Sequence, residues 1–374
     1  MSKRKKIRRD FETNPYGDGH DLHNLSSHTP QKRKLSGKRK AVNIIVAIFS
    51  VAFLLVGGGC MYAEGMLSNA NFITDEEAAK PPSTTQSSLQ GDHENSNVSF
   101  GESPSSKGLY HDDAVMNILL LGVDDYQEND VGRSDSQMLL TIDTRHQKLK
   151  LTSFMRDMYV QIPGWAPNRI NAAYSLGGAP LTVQTLESNF GVDIDRFVII
   201  DYDNFEDIID TLGGVEIELT QAEAKLINQH SGEKGKTLSA GTHNLTGKQA
   251  RYYSRIRAIG DDQGRTERQR KVVMSLVNKM KTSDIFTINN ALAKILGMIT
   301  TNMSKNEVLA LAANVMSYLE YPMEQNRVPV DGYYTNERVT ISGLKADVLV
   351  PNLTENSRLL VEFLYENDVP DKVH

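Results

Sequence analysis

The sequence predicts an α/β fold built on a central sheet and carried outside a membrane by a single N-terminal span. Three observations predict it. Val115–Leu121 is a nearly continuous apolar run, as in a strand covered on both faces. Strand-like and helix-like segments alternate after it, which argues for helices layered on a sheet. Residues 41–63 hold no charged side chain.

The elements follow in chain order. Residues 1–40 carry twelve Lys/Arg against four Asp/Glu, a surplus of +8, whereas the rest of the 374-residue chain carries −14, for a net charge of −6. This polar, aperiodic stretch reads as a disordered cytoplasmic tail. Its clusters Lys3-Arg4-Lys5-Lys6 and Lys38-Arg39-Lys40 suit topology and contact with anionic lipid better than nucleic-acid binding. At ~1.5 Å per residue, residues 41–63 span roughly 34 Å, enough for a hydrocarbon core of about 30 Å. The basic block before them puts the N-terminus in the cytoplasm and the remainder outside. An uncleaved anchor fits better than a cleaved signal peptide. Cys60 is the only cysteine, so it forms no intrachain disulfide, and Gly57 three residues earlier speaks against a lipoprotein box.

Residues 64–109, with Pro81-Pro82-Ser83-Thr84-Thr85 and Ser103-Pro104-Ser105-Ser106, are expected to be a flexible extracytoplasmic stalk. The folded domain is expected over 110–374. Within it Ser136–Asp143 and Lys148–Phe154 read as strands joined by a polar turn, Leu181–Asn189 as a helix and Phe197–Ile200 as a strand. Asn204–Leu212 reads as a helix, Val215–Leu219 as a strand, and Gln221–His230, Thr246–Tyr253 and Thr266–Lys281 as helices. Ile285–Met298, Lys305–Leu319 and Glu355–Tyr365 close the series as helices.

Three distant runs share arginine and aspartate: Gly132-Arg133-Ser134-Asp135, Ser153-Phe154-Met155-Arg156-Asp157, and Arg255-Ile256-Arg257 followed by Asp262, Arg265 and Gln269. Arginine offers phosphate a fixed fork of donors, and aspartate holds a hard cation through oxygen. Asp124 follows the first strand and Asp135 opens the next, so both can flank one crevice at the strand ends. Turn aspartates also cap loops without binding anything. Residues 251–270 hold six arginines. If Ser254–Arg257 is extended, Arg255 and Arg257 share a side; if helical, they diverge by ~200°. In the helix that follows, Val272, Val273, Leu276 and Met280 form an apolar stripe with Gln269 inside it and Arg265 at its edge, while Arg268 and Arg270 point elsewhere. A polar pair on a buried face needs partners, which a bound phosphate or an internal pair with Asp262 would supply. No phosphate loop, no Gly-x-Ser-x-Gly elbow and no zinc-spaced His/Cys set occurs.

In order, Asn117-Ile118-Leu119-Leu120-Leu121-Gly122-Val123-Asp124, Gly132-Arg133-Ser134-Asp135, Arg156-Asp157-Met158-Tyr159-Val160, Arg169-Ile170-Asn171-Ala172-Ala173-Tyr174, Leu212-Gly213-Gly214-Val215, Leu245-Thr246-Gly247, Arg255-Ile256-Arg257 and Arg265-Thr266-Glu267-Arg268-Gln269 closely resemble the LytR-CpsA-Psr family of bacterial cell-wall proteins over residues 115–281. The resemblance implies a three-layer α/β/α domain with a central mixed sheet. It implies a membrane-anchored phosphotransferase that moves an anionic glycopolymer, of teichoic acid or capsule type, from a polyprenyl-pyrophosphate carrier to peptidoglycan. It implies magnesium between Asp124 and Asp135, and catalytic roles for Arg156, Asp157 and Arg255. Substrate contacts would fall to Arg133, Arg156, Arg255, Arg257, Asp262, Arg265 and Gln269. Many members carry arginine two residues after the first aspartate, where this chain has Tyr126. A hydrolase acting on the same lipid, or a non-catalytic lipid-binding regulator, are the alternatives.

Overall fold

In the computed structural model, residues 65, 67–68, 70–79, 98–100, 102–123, 133–232, 237–260 and 262–373 are described. Their main sheet comprises β1 (Asn71–Phe72), β2 (Val115–Val123), β3 (Ser134–Asp143), β4 (Lys148–Phe154), β5 (Arg196–Asp201), β6 (Thr300–Thr301) and β7 (Met323–Val328), in the order β1-β6-β5-β2-β3-β4-β7. Pairing is antiparallel for β2–β3, β3–β4 and β5–β6 and parallel for β2–β5, β4–β7 and β1–β6, so the sheet is mixed. Strands β2, β4, β5 and β7 therefore all end at the same edge, where β3 begins.

The helices are α1 (Ala172–Phe190), α2 (Tyr202–Thr211), α3 (Gln221–His230), α4 (Gly247–Arg255), α5 (Asp262–Lys281), α6 (Ile285–Leu296), α7 (Lys305–Glu320) and α8 (Leu353–Tyr365). Alternation along each strand sends neighbouring side chains to opposite faces. Leu119, Leu121 and Leu139 pack with Leu186 and Phe190 of α1 and Leu360 and Leu364 of α8. Ile118, Ile142 and Leu149 pack on the other face with Leu296 of α6 and Val308 of α7. Helices thus cover both faces, which is why β2 reads as a continuous apolar run. A third core joins α2, α3 and α4 to the antiparallel pair Val215–Leu219 and Gly241–Leu245. Helix α5 touches two cores at once, with Val272 in this third core and Val277 against the sheet.

Most expected elements recur within a few residues. Three departures have physical reasons. Residues 71–79, expected in the stalk, are folded: β1 extends the sheet, and Thr74 and Glu77 form a capping box for the short helix Asp75–Ala78. Gly178, in the left-handed region at φ 66°, lets that helix close on α1, since a Cβ there would overlap the Ala78 carbonyl oxygen. The turn at Gly177-Gly178 also splits α1, which explains why only its second half has helical periodicity. Strand β7 and the hairpin Tyr334–Ile341/Leu344–Pro351 escape sequence patterning because they are largely polar or exposed; the hairpin turns on Ser342 and Gly343, both at positive φ. Among the described residues no helix is long and apolar enough to cross a membrane. The tail over 1–40, the span expected over 41–63, and Asp124 with Tyr126 lie outside the described residues.

Candidate functional site

The shared edge collects charged groups from four segments. Asp135 is the second residue of β3, and Arg156 follows the end of β4. The Arg156 Nη1 donates to Asp135 Oδ1 at 2.6 Å. The Arg156 Nε lies 3.4 Å from Asp262 Oδ1 and 3.6 Å from Asp157 Oδ2. Asp262 opens α5 and also meets Arg265 Nη2 at 2.5 Å, one turn further along. Arg257 reaches Asp135 Oδ2 at 3.5 Å, and Gln269 Nε2 donates to the Asp135 carbonyl at 3.4 Å. Asp135, Arg156, Asp157, Arg257, Asp262, Arg265 and Gln269 therefore converge, although sequence separates the first from the last by 134 positions.

Helix α4 ends at Arg255 because Ile256 turns extended, at ψ 123°. The two neighbouring arginines consequently part. Arg257 goes to Asp135, while the Arg255 guanidinium lies over the Tyr202 ring, 4.5 Å from its centre. Arg255 and Gln269 also help wall a cavity of about 100 Å³ whose other walls include Leu120, Met138, Ile200, Phe205 and Val273. The ionic cluster and an apolar hollow thus share Gln269. Arg133 is exposed at the head of β3, outside the ion pairs among the described residues.

Electrostatics separate the carboxylates. Burial works to raise the Asp135 pKa, but Arg156, Arg265 and Arg257 outweigh it and hold the group below its usual value. Asp262 goes the other way: burial raises it, with repulsion from Asp157 adding to that and Arg265 opposing. Arg265 is only 2% exposed, and burial lowers its pKa against the pull of Asp262. Among the described residues Arg265 Nε and Nη1 and Asp262 Oδ2 are buried without a hydrogen-bond partner. Leaving such groups unmet costs about 1–3 kcal/mol each. A bound oxyanion and a hydroxyl donor would satisfy them together.

An oxygen-loving cation such as magnesium matches Asp135 chemically, since its carboxylate is held ionised. Both its oxygens face arginines in this structure, and the second expected ligand, Asp124, lies outside the described residues.

Arg268, expected off the apolar stripe, is nonetheless only 6% exposed: it pairs with Glu223 at 2.8 Å and donates to the Ile256 and Ile259 carbonyls. The expected stripe is one of two packed sides of α5: Val272 and Leu276 join the third core, while Val277 packs against the sheet. Arg169 is the site residue that residue-type patterning missed. Its Nε lies 3.4 Å from Asp157 Oδ1. The only sequence signal for it was its place in one of the matched runs.

The sequence model of the LytR_cpsA_psr family matches residues 74–354. The chain belongs to the LytR-CpsA-Psr family. It is 31% identical over 304 residues to the polyisoprenyl-teichoic acid–peptidoglycan teichoic acid transferase TagU of Bacillus cereus, covering 79% of this chain and 89% of that one. It is 30% identical over 264 residues to the regulatory protein MsrR of Staphylococcus aureus, covering 70% and 77%. Among solved structures, B. subtilis TagV aligns with TM-score 0.54 at 28% identity over 68% of this chain and 98% of its own. TagT bound to LI-WTA aligns with TM-score 0.54 at 25% identity over 76% and 99%. The family match starts inside the segment 71–79 that the fold incorporates, upstream of the expected core at 115.

Proposed function

We propose that this LytR-CpsA-Psr protein is a membrane-anchored phosphotransferase. In this reading it moves an anionic glycopolymer from a polyprenyl-pyrophosphate carrier to peptidoglycan outside the cell. The observation that carries the reading is the junction of two environments. A buried arginine–aspartate cluster with unmet donors meets an apolar cavity at Gln269. A lipid diphosphate has the matching two halves, a charged head and an apolar chain. The family's TagU relative, named as a teichoic acid transferase, supports the same chemistry.

The reaction needs charge stabilisation and positioning more than a covalent intermediate. An acceptor sugar hydroxyl oxygen bonds to the phosphorus nearest the polymer. The bond from that phosphorus to the bridging oxygen breaks, and polyprenyl phosphate leaves with that oxygen and its electron pair. Arg156, Arg257 and Arg265 hold the phosphate oxygens, and Arg255 and Arg133 stand at the entrance. Asp262 Oδ2, buried, unpartnered and raised in pKa, takes the hydroxyl proton. Asp157 is a positioning residue: it sits between Arg156 and Arg169 and aims the Arg156 fork. Magnesium, held by Asp135 with Asp124, would neutralise diphosphate charge when bound.

The test uses the full chain in detergent with magnesium, a polyprenyl-pyrophosphate glycopolymer and peptidoglycan oligomers, with products identified by mass. Polymer joined to glycan through a phosphodiester, with release of polyprenyl phosphate, is expected. Free polymer phosphate alone would make the protein a hydrolase, and tight diphosphate binding without turnover would make it a regulator.

A further inference from the structure

A second group of arginines lies one strand away from this cluster and takes no part in it. Strand β7 runs parallel to β4, with Arg327 in register with Ser153 and Gln325 in register with Leu151. Residues two apart on a strand share a face, so Gln325, Arg327 and Ser153 lie together beneath α5. Helix α5 contributes Arg270, whose Nε donates to Gln325 Oε1 at 3.3 Å. Ser153 sits three residues before Arg156, roughly 10 Å along the strand at ~3.3 Å per residue.

These groups are not satisfied by one another. Ser153 is 1% exposed and the Arg327 side chain 10% exposed. Among the described residues Ser153 Oγ, Arg270 Nη1 and Arg327 Nη1 are all buried without a hydrogen-bond partner. Asp331 pairs with Arg327 from an exposed position, and among the described residues no carboxylate forms an ion pair with Arg270. Burial and the Arg327 charge depress the pKa of Arg270, so the two guanidiniums feel each other. Two half-buried like charges with spare donors and a buried hydroxyl between strands form a poor structural device. A guanidinium has donors and no acceptor, so the two arginines cannot satisfy each other and need acceptors from elsewhere. Gln325, which accepts from Arg270, also lines an open groove of about 800 Å³.

We propose that Arg270, Arg327 and Ser153 form an anion-binding subsite for a phosphate group, separate from the Arg156–Asp135 cluster. Two guanidinium forks and a hydroxyl complement a tetrahedral oxyanion, and the positive charge favours an anion over a neutral sugar. The inference needs no assumption about transfer. If the chain does handle a phosphate-containing polymer, a phosphodiester of that polymer is one source of the group and inorganic phosphate the other.

The experiment is calorimetric titration of the full chain in detergent with inorganic phosphate and, separately, with a glycerol-phosphate oligomer. The variants are Arg270→Gln, Arg327→Gln and Arg156→Gln, each checked for its melting temperature. Saturable phosphate binding that weakens at least tenfold in Arg270→Gln and Arg327→Gln, but persists in Arg156→Gln, is expected. Tighter binding of the oligomer than of phosphate assigns the polymer as source; the reverse assigns the free ion. Should Arg327→Gln fail to fold, Arg270→Gln, whose side chain is partly exposed, decides alone. Unchanged phosphate affinity in a folded Arg270→Gln, or loss of all binding in Arg156→Gln, overturns the subsite whatever the transfer assay shows.

Discussion

Asp262 and Asp135 share the same neighbour, Arg156, yet titrate in opposite directions. Asp135 receives three guanidiniums and is held ionised, whereas Asp262 is left with one unmet oxygen and the repulsion of Asp157. On the proposed reading, Asp262→Asn should lower kcat by about 10²–10⁴, the usual worth of a general base, with little change in diphosphate affinity measured by calorimetry. Arg156→Ala should lower kcat/KM by about 10²–10³ through lost charge stabilisation, and a folded variant with full transfer activity would refute the assignment. Away from the site, Glu187 is pushed up to about 7, first by burial and then by Asp193 and Asp195, although its carboxylate accepts from the Ile194 amide. A raised carboxyl pKa means the fold binds the proton more tightly than the unfolded chain does. The group therefore costs nothing at pH 4 and destabilises progressively as pH rises from about 4.5 to about 7. Glu187→Gln should raise the melting temperature at pH 8 and leave it unchanged at pH 4.

Elements are tied together by a few buried polar contacts. Lys150 on β4 is 0% exposed and reaches Asp143 on β3 at 2.9 Å and the Leu364 carbonyl of α8 at 2.8 Å. Lys150→Met would strand the buried Asp143 carboxylate with only His146 for company. Urea unfolding should show a loss of about 3 kcal/mol, the scale for removing one partner of a buried pair. The contact between α1 and the segment 75–78 depends on backbone approach at Gly178. Gly178→Ala meets both positive φ and a blocked carbonyl, so it should destabilise by more than ~1 kcal/mol and free residues 71–79 to proteolysis before the sheet unfolds. Strand β7 reads as polar because its Gln325 and Arg327 face charged neighbours instead of core, so alternation gave no warning of it.

At the scale of the whole molecule, the uncharged stretch 41–63 is proposed to anchor the domain. The full chain should fractionate with membranes, and a variant lacking residues 41–63 should appear in the soluble fraction; membrane retention of that variant would remove the anchor from the reading. The order of strands and helices was legible because continuous apolar runs and helical periodicity are local properties, set by which residues must leave water. The segment 71–79 was not legible, since β1 is two residues long and exists only through pairing with Thr300–Thr301, far along the chain.

Residue types and their spacing alone determined the α/β class, the identity of most strands and helices, and the set of arginines and aspartates worth following. Only the tertiary structure decided which of them meet. Whether Arg255 and Arg257 share a face depended on where α4 stops, and whether Arg268 is a ligand or a core ion pair depended on a second hydrophobic body packed behind α5. Pairing over a hundred positions is fixed by sheet order and by helix packing, and neither leaves a periodic trace in the segments that it joins.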